Sequence, residues 1–315
     1  MANDVKKKED FSSEESSYRP LAEYENGVLK KLRISSTLIK SILHKGNSID
    51  TCPKKIYETY LTGNYKTAES DVMRKGRYFE SRVLGPDKNG QLVDLPLLKN
   101  GERSTDQIRI DEQIKAFDIV THNYGMIVIK EGQSRNTQIP VRKKVEYDEY
   151  PDVEIVIDAV IDLISPISIR DYNLDAAIFD LKLPMDRNNE HGKFSWGLPQ
   201  YMDHTQAVLY SHILNLPFFY LLFDYKKNDK GHKLIPVATL SMFPEGKTAK
   251  NEQSYLLAKQ REIDLKLNIK EVIRLIMEWD YKGYPEFGSD DNCKKCPLNP
   301  LHGGTCIHHN SIKET

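Results

Sequence analysis

The sequence predicts an α/β fold, and three observations carry that expectation. The first is a pair of apolar runs, Val153 to Ile164 and Ala176 to Leu183, separated by a connection holding Pro166, Arg170, Asp171 and Asn173. β-Branched residues dominate the first run, which favours a buried strand, and the turn chemistry between the two gives hairpin-like spacing. The second is a long stretch, Asn251 to Trp279, in which Leu256, Ile263, Leu267, Ile269, Ile273 and Ile276 recur near helical spacing. The third is alternation along the chain, with helical patterns before and after the hairpin and further strand patterns between them.

The bounds are set by composition. The 315 residues suffice for a sizeable core, and 39% hydrophobic with 29% charged residues describe a globular chain. No apolar stretch approaches the roughly 20 residues needed to span a bilayer, and the start MANDVKKKED lacks the apolar centre of a signal peptide. A cytoplasmic protein without membrane partners is expected. The net charge of -1 supplies no global basic field, so nucleic-acid binding would rest on local patches. Residues 1–20 hold Lys, Glu, Asp and Ser with hardly any apolar side chain and are expected to form a disordered tail. Residues 21–315 are expected to form a single domain, with N-terminal helices and the first cysteine in 21–70, a catalytic core in 71–250, and a long helix and cysteine loop in 251–315.

In chain order, Leu29 to Leu61 reads as two short helices split by a Gly-Asn turn, with Ser35 or Ser36 capping the first and Cys52-Pro53 opening the second. Asp71 to Leu84 reads as a helix carrying Glu80 one turn after Gly76, with Arg74, Lys75 and Arg77 making its flank basic. Gly85 to about Arg109 is loop-rich. DIVTHNYGMIVIKEG, from Asp118, and TQIPVRKKVEY, from Thr137, read as strands leading into the hairpin, and Arg142, Lys143 and Lys144 form a small basic cluster. After Pro184 comes the polar stretch MDRNNEHGKFSWG, in which Lys193 and Trp196 are candidate contacts to phosphate and base. GLPQYMDHTQAVLYSHILN reads as a helix ended by Asn215 and Pro217, with Gln206 and Tyr210 on one face. Pro217 to Tyr225 and Lys233 to Met242 read as two further strands.

Within the second run of the hairpin, side chains two apart share a face, so Asp180 and Lys182 project together while Phe179 and Leu181 face the opposite layer. Asp162 on the neighbouring strand completes an oxygen-rich site for Mg²⁺ or Mn²⁺. The lysine would position or activate a water and stabilise charge developing on a phosphate. An acid-x-Lys triplet alone selects nothing, since triplets begin at Asp4, Asp180, Asp224, Glu245, Asp264 and Asp280. Context favours Asp180, because the others fall in a polar tail, a helical pattern, a Pro/Gly turn or, for Asp224, a strand end opening a hairpin.

Of four cysteines, three crowd into Cys293-x2-Cys296-x9-Cys306. In a cytosolic chain such spacing reads as a metal or cluster site before a disulfide. A [4Fe-4S] cluster needs four thiolates, and the fourth would be Cys52. A zinc site would take Cys52 or one of His302, His308 and His309 instead.

These features, in this order, resemble the RecB-like exonuclease branch of the PD-(D/E)XK nuclease superfamily, and within it the members with an iron-sulfur staple, such as the AddB nuclease domain and the CRISPR-associated RecB-like exonucleases. The similarity runs from about Ile34 to Cys306. It rests on Cys52-Pro53 and Tyr57, Gly76-x3-Glu80, Asp162, Asp180-Leu-Lys182, Gln206-x3-Tyr210, and Gly283-Tyr-Pro285 leading into the cysteines. The resemblance implies a restriction-endonuclease-like core with a central mixed sheet flanked by helices. It makes Glu80, Asp162 and Asp180 ligands of Mg²⁺ or Mn²⁺, Lys182 the catalytic lysine, and Gln206 and Tyr210 residues beside the active site. It also makes Cys52, Cys293, Cys296 and Cys306 the ligands of a structural [4Fe-4S] cluster joining the N- and C-terminal segments. Glu80 stands where many relatives have His, the gap before Cys306 is longer than usual and keeps zinc open, and Asp158 and Asp152 are rivals of Asp162. The implied activity is metal-dependent DNA exonuclease action in recombination, repair or replication, with Arg74, Arg77 and Lys193 as DNA contacts. A structure-specific endonuclease and a non-catalytic DNA-binding scaffold are the alternatives. No G-x4-G-K-[ST] loop is present, so unwinding would fall to a helicase or recombination partner.

Overall fold

A computed structural model describes residues 20–43, 52–64, 69–86, 90, 92–184, 196, 202–225, 231–286, 296, 298 and 306. The expected tail, apart from Pro20, and the candidate residues Lys193 and Cys293 lie outside these. The described chain is a mixed sheet between two layers of helices, as the α/β pattern predicts.

The first element is a hairpin, β1 (Ala22–Glu25) and β2 (Val28–Ile34), not the helix expected from Leu29. Leu29 and Leu32 are three apart and mimic a helical face. The decisive signal is Asn26-Gly27, whose φ angles of 52° and 77° are the left-handed pair that a two-residue hairpin turn demands. Helix α1 (Ser36–Ile42) follows, capped by Ser35 Oγ, which accepts from the Leu38 N–H at 3.2 Å. Cys52 caps α2 (Pro53–Ile56), which continues into a π-helical turn, Tyr57–Leu61. Helix α3 (Asp71–Leu84) is as expected. The strand expected at Asp118 is instead the end of α4 (Thr105–Asn123), a helix begun by Ser104 and burying Ile110, Gln113, Phe117 and Val120. The β-branched residues after Phe117 hid a helical period that starts a dozen positions earlier.

β3 (Thr137–Val145), β4 (Glu154–Ile169) and β5 (Tyr172–Lys182) form the centre, and the β4–β5 turn is tighter than the sequence suggested. Pro166 lies inside β4, where the β4–β5 register shifts between Ser165 and Ile167, because proline has no N–H for the ladder. Helix α5 (Thr205–Leu214) ends at Asn215 in the left-handed conformation. Strand β6 (Phe218–Phe223) is buried along its whole length, and β7 (His232–Val237) is followed by a 3-10 turn, Leu240–Met242. The 30-residue helix α6 (Glu252–Tyr281) closes the described core. No helix among the described residues is long and apolar enough to cross a membrane.

The sheet order is β1-β2-β4-β5-β6-β7, with β3 also paired to β4; β2 with β4 and β5 with β6 are parallel, the rest antiparallel. One layer packs α1, α5 and α6 on the sheet through Leu38, Val208, Leu209, Ile269 and Ile276. The other packs α3 and α4 through Phe79, Val83, Ile110 and Phe117 against Phe179, Leu181, Phe219 and Phe223.

β4 organises this arrangement. β3 runs along one edge, pairing with Ile155 to Leu163. The other edge is shared end to end, β2 pairing with Glu154 to Ile157 and β5 with Leu163 to Ile169. Residues 158–162 therefore have no strand on that edge among the described residues, and the sheet forks there. The strand also coils at this point: Ile155, Ile157, Ala159 and Ile161 bury in the first layer, whereas Leu163 and Ile167, of the same parity, bury in the second. Strong twist of a long strand rotates its face from one layer to the other.

Candidate active site

The fork gathers six of the candidate residues: Glu80, Asp162, Asp180, Lys182, Gln206 and Tyr210. Asp162 and Asp180 are the next opposed positions after the Leu163–Phe179 pair, where β4 and β5 begin to part. Instead of a ladder partner, the Leu181 N–H donates to Asp162 Oδ2 at 2.9 Å, so the carboxylate side chain closes the gap in the sheet. Asp180 is 2% exposed. Gln206 Nε2 donates to Asp180 Oδ1 at 2.6 Å, and Lys182 Nζ forms an ion pair with Oδ2. Gln206 stands in the first turn of α5 and also meets the Tyr210 hydroxyl one turn on, as the four-residue spacing predicts. Glu80 joins from α3, half-buried, near enough that Lys182 and Asp180 both act on its charge.

Three carboxylates thus surround one ammonium. Burial pushes Glu80 up to about 7, Lys182 opposing and Asp180 adding to the shift. Burial, then Asp180 and Glu80, push Asp162 well above the ordinary aspartate value, and the Leu181 N–H holds it down in part. Burial alone would lower the Lys182 ammonium, but Asp180, Asp162 and Glu80 outweigh it and raise its pKa. The Tyr210 hydroxyl is raised by burial and then by the two aspartates.

The chemistry of this donor set fits a hard divalent cation: three carboxylates, an excess of negative charge, and Asp180 Oδ2 buried with no hydrogen-bond partner beyond its ion pair with Lys182. The set is not closed as it stands. Among the described residues no group of three or more His, Cys, Asp or Glu side chains is arranged as a metal-holding set. Lys182 occupies the cation position on Asp180.

Of the rivals to Asp162, Asp158 is turned to Arg142, whose Nε donates to it at 3.3 Å, and Asp152 is exposed. The same contact engages Arg142 of the basic cluster. Arg74 and Arg77 are exposed on α3, and both are held by Glu69, at 3.3 and 3.0 Å. Trp196 packs edge-on against Tyr220, with 5.0 Å between ring centroids. Tyr220 is the β6 residue in register with Asp180, a neighbour of the site that the sequence reading passed over as ordinary strand.

Cys296 and Cys306 are buried with Leu298 in a small cluster of their own. Cys306 Sγ lies 3.6 Å from Glu286 Oε2, and the charge of Glu286 acts on Lys54 of α2, the helix that Cys52 caps. Tyr24, Tyr57 and Tyr284 join the same two ends of the chain: the Tyr24 and Tyr284 hydroxyls are 3.0 Å apart, and the Tyr57 and Tyr284 rings meet at 4.4 Å with their planes tilted by 33°. Among the described residues, no disulfide joins Cys52, Cys296 and Cys306 to one another.

The fold is shared with a crystal structure from Eubacterium rectale described as "putative exonuclease", at a TM-score of 0.50 and 19% identity over 85% of this chain and 88% of that one. At that identity the likeness is one of fold. A second solved structure, SSO0001, aligns at a TM-score of 0.33 and 10% identity over 85% of each chain, too loosely to bear on the architecture. No family model matches the chain, and no curated protein matches it.

Proposed function

We propose that this chain is a metal-dependent deoxyribonuclease of the RecB-like PD-(D/E)XK type, acting from DNA ends as an exonuclease. The observation that carries the proposal is the meeting of Glu80, Asp162 and Asp180 around Lys182 at the fork of the sheet, with Gln206 fixing Asp180. The shared fold of the Eubacterium rectale protein supports the same reading.

Asp162, Asp180 and Glu80 would hold Mg²⁺ or Mn²⁺, which supplies charge to polarise a phosphodiester and to acidify a water. The protein's own part is positional and electrostatic. Gln206 occupies Asp180 Oδ1, so a cation would reach that carboxylate through Oδ2, the oxygen that Lys182 holds in its absence. Lys182 keeps its proton and swings from Asp180 toward the phosphate, where its charge stabilises the oxyanion and orients the attacking water. Asp162, pinned by the Leu181 amide, keeps the two strands at a fixed separation while this happens. We further propose that Cys52, Cys293, Cys296 and Cys306 hold a structural [4Fe-4S] cluster, with zinc as the alternative.

The test is digestion of end-labelled linear single- and double-stranded DNA and of closed circular DNA with Mn²⁺ or Mg²⁺, wild type against Lys182→Ala. Loss of linear DNA only, abolished by the substitution, is the expected result. Cutting of circles would make the enzyme an endonuclease, and an inert wild type would leave a binding scaffold. Iron, acid-labile sulfide and zinc content of the purified protein decide the cysteine site independently of activity.

A further inference from the structure

Helix α6 is apolar on two opposite sides, and among the described residues only one of them is covered. Leu265, Ile269 and Val272 face the first core layer, and Ala258 is buried. On the opposite side Leu256, Ile263 and Leu267 are 49%, 43% and 61% exposed, in the half of the helix that precedes Lys270. With Gln260 these positions are spaced four, three and four residues apart, the alternation of a coiled-coil seam rather than of scattered surface residues. Written as a heptad, Leu256 and Ile263 take d positions and Gln260 and Leu267 take a positions. The buried residues Ala258, Leu265 and Val272 then fall at f, directly opposite the seam. The described body of the protein therefore lies behind the helix, and among the described residues the seam side is clear.

The flanking charges identify the occupant. The g positions are Lys259 and Lys266, and the e positions facing the seam are Leu257, Asp264 and Glu271. In a parallel pair of helices each g residue meets the e residue five positions on in the partner. Two copies of α6 side by side in parallel would bring Lys259 to Asp264 and Lys266 to Glu271, on both sides of the seam. In the antiparallel arrangement g meets g and e meets e, which sets lysine against lysine and acid against acid. The single polar seam residue, Gln260, would meet its own copy and fix the register, the role polar a residues play in two-stranded coils. At its C-terminal end the seam is closed by charge, at Lys270 and Arg274, and by the fold, since Ile273 beside them is buried.

We propose that this face of α6 is a self-association surface on which two copies of the chain pair in parallel through Leu256, Gln260, Ile263 and Leu267. Because the helix is already held by its inner face, pairing has only association to offset, not helix nucleation. The seam spans about 18 Å at 1.5 Å per residue, so the dimer is a weak, concentration-dependent one. The proposal does not depend on the nuclease reading: its readout is mass, not activity.

The experiment is sedimentation equilibrium of the full chain across a concentration series. Wild type is expected to shift from monomer to dimer, and Ile263→Asp to remain monomeric with unchanged far-ultraviolet circular dichroism. Two charge variants carry the orientation. Lys259→Glu with Lys266→Glu, and separately Asp264→Lys with Glu271→Lys, are each expected to weaken self-association about tenfold or more, and their equimolar mixture to restore the dimer. Wild type that is still monomeric at roughly 1 mM would overturn the proposal and reserve the face for a different protein. A dimer indifferent to Ile263→Asp would place the interface elsewhere, and one that loses to Ile263→Asp but ignores the charge variants would overturn the parallel pairing.

Discussion

Lys75 and Lys182 each face more than one carboxylate, and of these two clusters the one at Lys182 has the makings of a reactive site. At the start of α3, Lys75 bonds Asp71 at 2.6 Å and Asp106 at 2.8 Å, tying the first turns of α3 and α4 together. The Asp71 side chain is 73% exposed, and water disperses whatever negative charge the lysine leaves over. At the fork, Lys182 faces Asp180, Asp162 and Glu80, and the partner it touches is 2% exposed. The surplus there is held in a poor solvent for charge, and it appears as protons kept by acids that would otherwise release them. The ingredients are the same, and burial decides whether they form a surface tie or a place for a cation.

The strongest way to break that contrast is to neutralise its centre. On the proposed nuclease reading, Asp180→Asn and Lys182→Ala are each expected to abolish at least ~99.9% of DNA hydrolysis, measured on the linear substrate, because the charges they remove would act at the reacting phosphate. Asp180→Asn should keep its fold, since asparagine can still accept from Gln206. Next comes Gln206→Ala, which frees Asp180 Oδ1 and should weaken Mn²⁺ binding by roughly 10–100-fold in a titration on inactive Lys182→Ala protein.

A pH series sharpens the same point. Glu80 is raised to about 7 when folded, above its unfolded value. Between the two values the unfolded chain has released a proton that the folded chain keeps, so the metal-free protein loses stability as pH rises from about 4.5 to 7, by at most ~1.4 kcal/mol per pH unit from this group. Asp162, also raised, acts in the same direction. Glu80→Gln should flatten that slope in urea melts, and Mn²⁺ affinity should rise with pH through about 7 as the protons are displaced. The smallest effect belongs to the comparison cluster: Lys75→Ala should cost no more than about 1 kcal/mol in the same melts and leave hydrolysis unchanged.

What was legible in the sequence follows the range of the forces involved. Asp180 and Lys182 on one face, Gln206 and Tyr210 one turn apart, and the Asn215 stop of α5 are local facts of strand and helix periodicity, and the structure has them. The first hairpin stands where the sequence predicts a helix, because Leu29 and Leu32 fit two periods while the turn pair Asn26-Gly27 carries the hairpin signal. The α4 terminus stands where the sequence predicts a strand, because its β-branched residues mask a helical period that tertiary packing enforces through Phe117 and Val120. The coil of β4 at Asp162 was beyond any local rule. It arises from the twist of a long strand whose one edge is shared end to end by β2 and β5, a property of the assembled sheet.

That arrangement leaves a spectroscopic consequence. In most sheets an amide in the middle of a strand points to a peptide carbonyl, which has no ionisation to report. The Leu181 amide points to the carboxylate of Asp162. Its nitrogen and proton resonances are therefore wired to a side chain of the candidate active site, and they register each loss of a proton or arrival of a cation there. A single backbone signal, assigned once, becomes an internal electrode for the charge state of the fork.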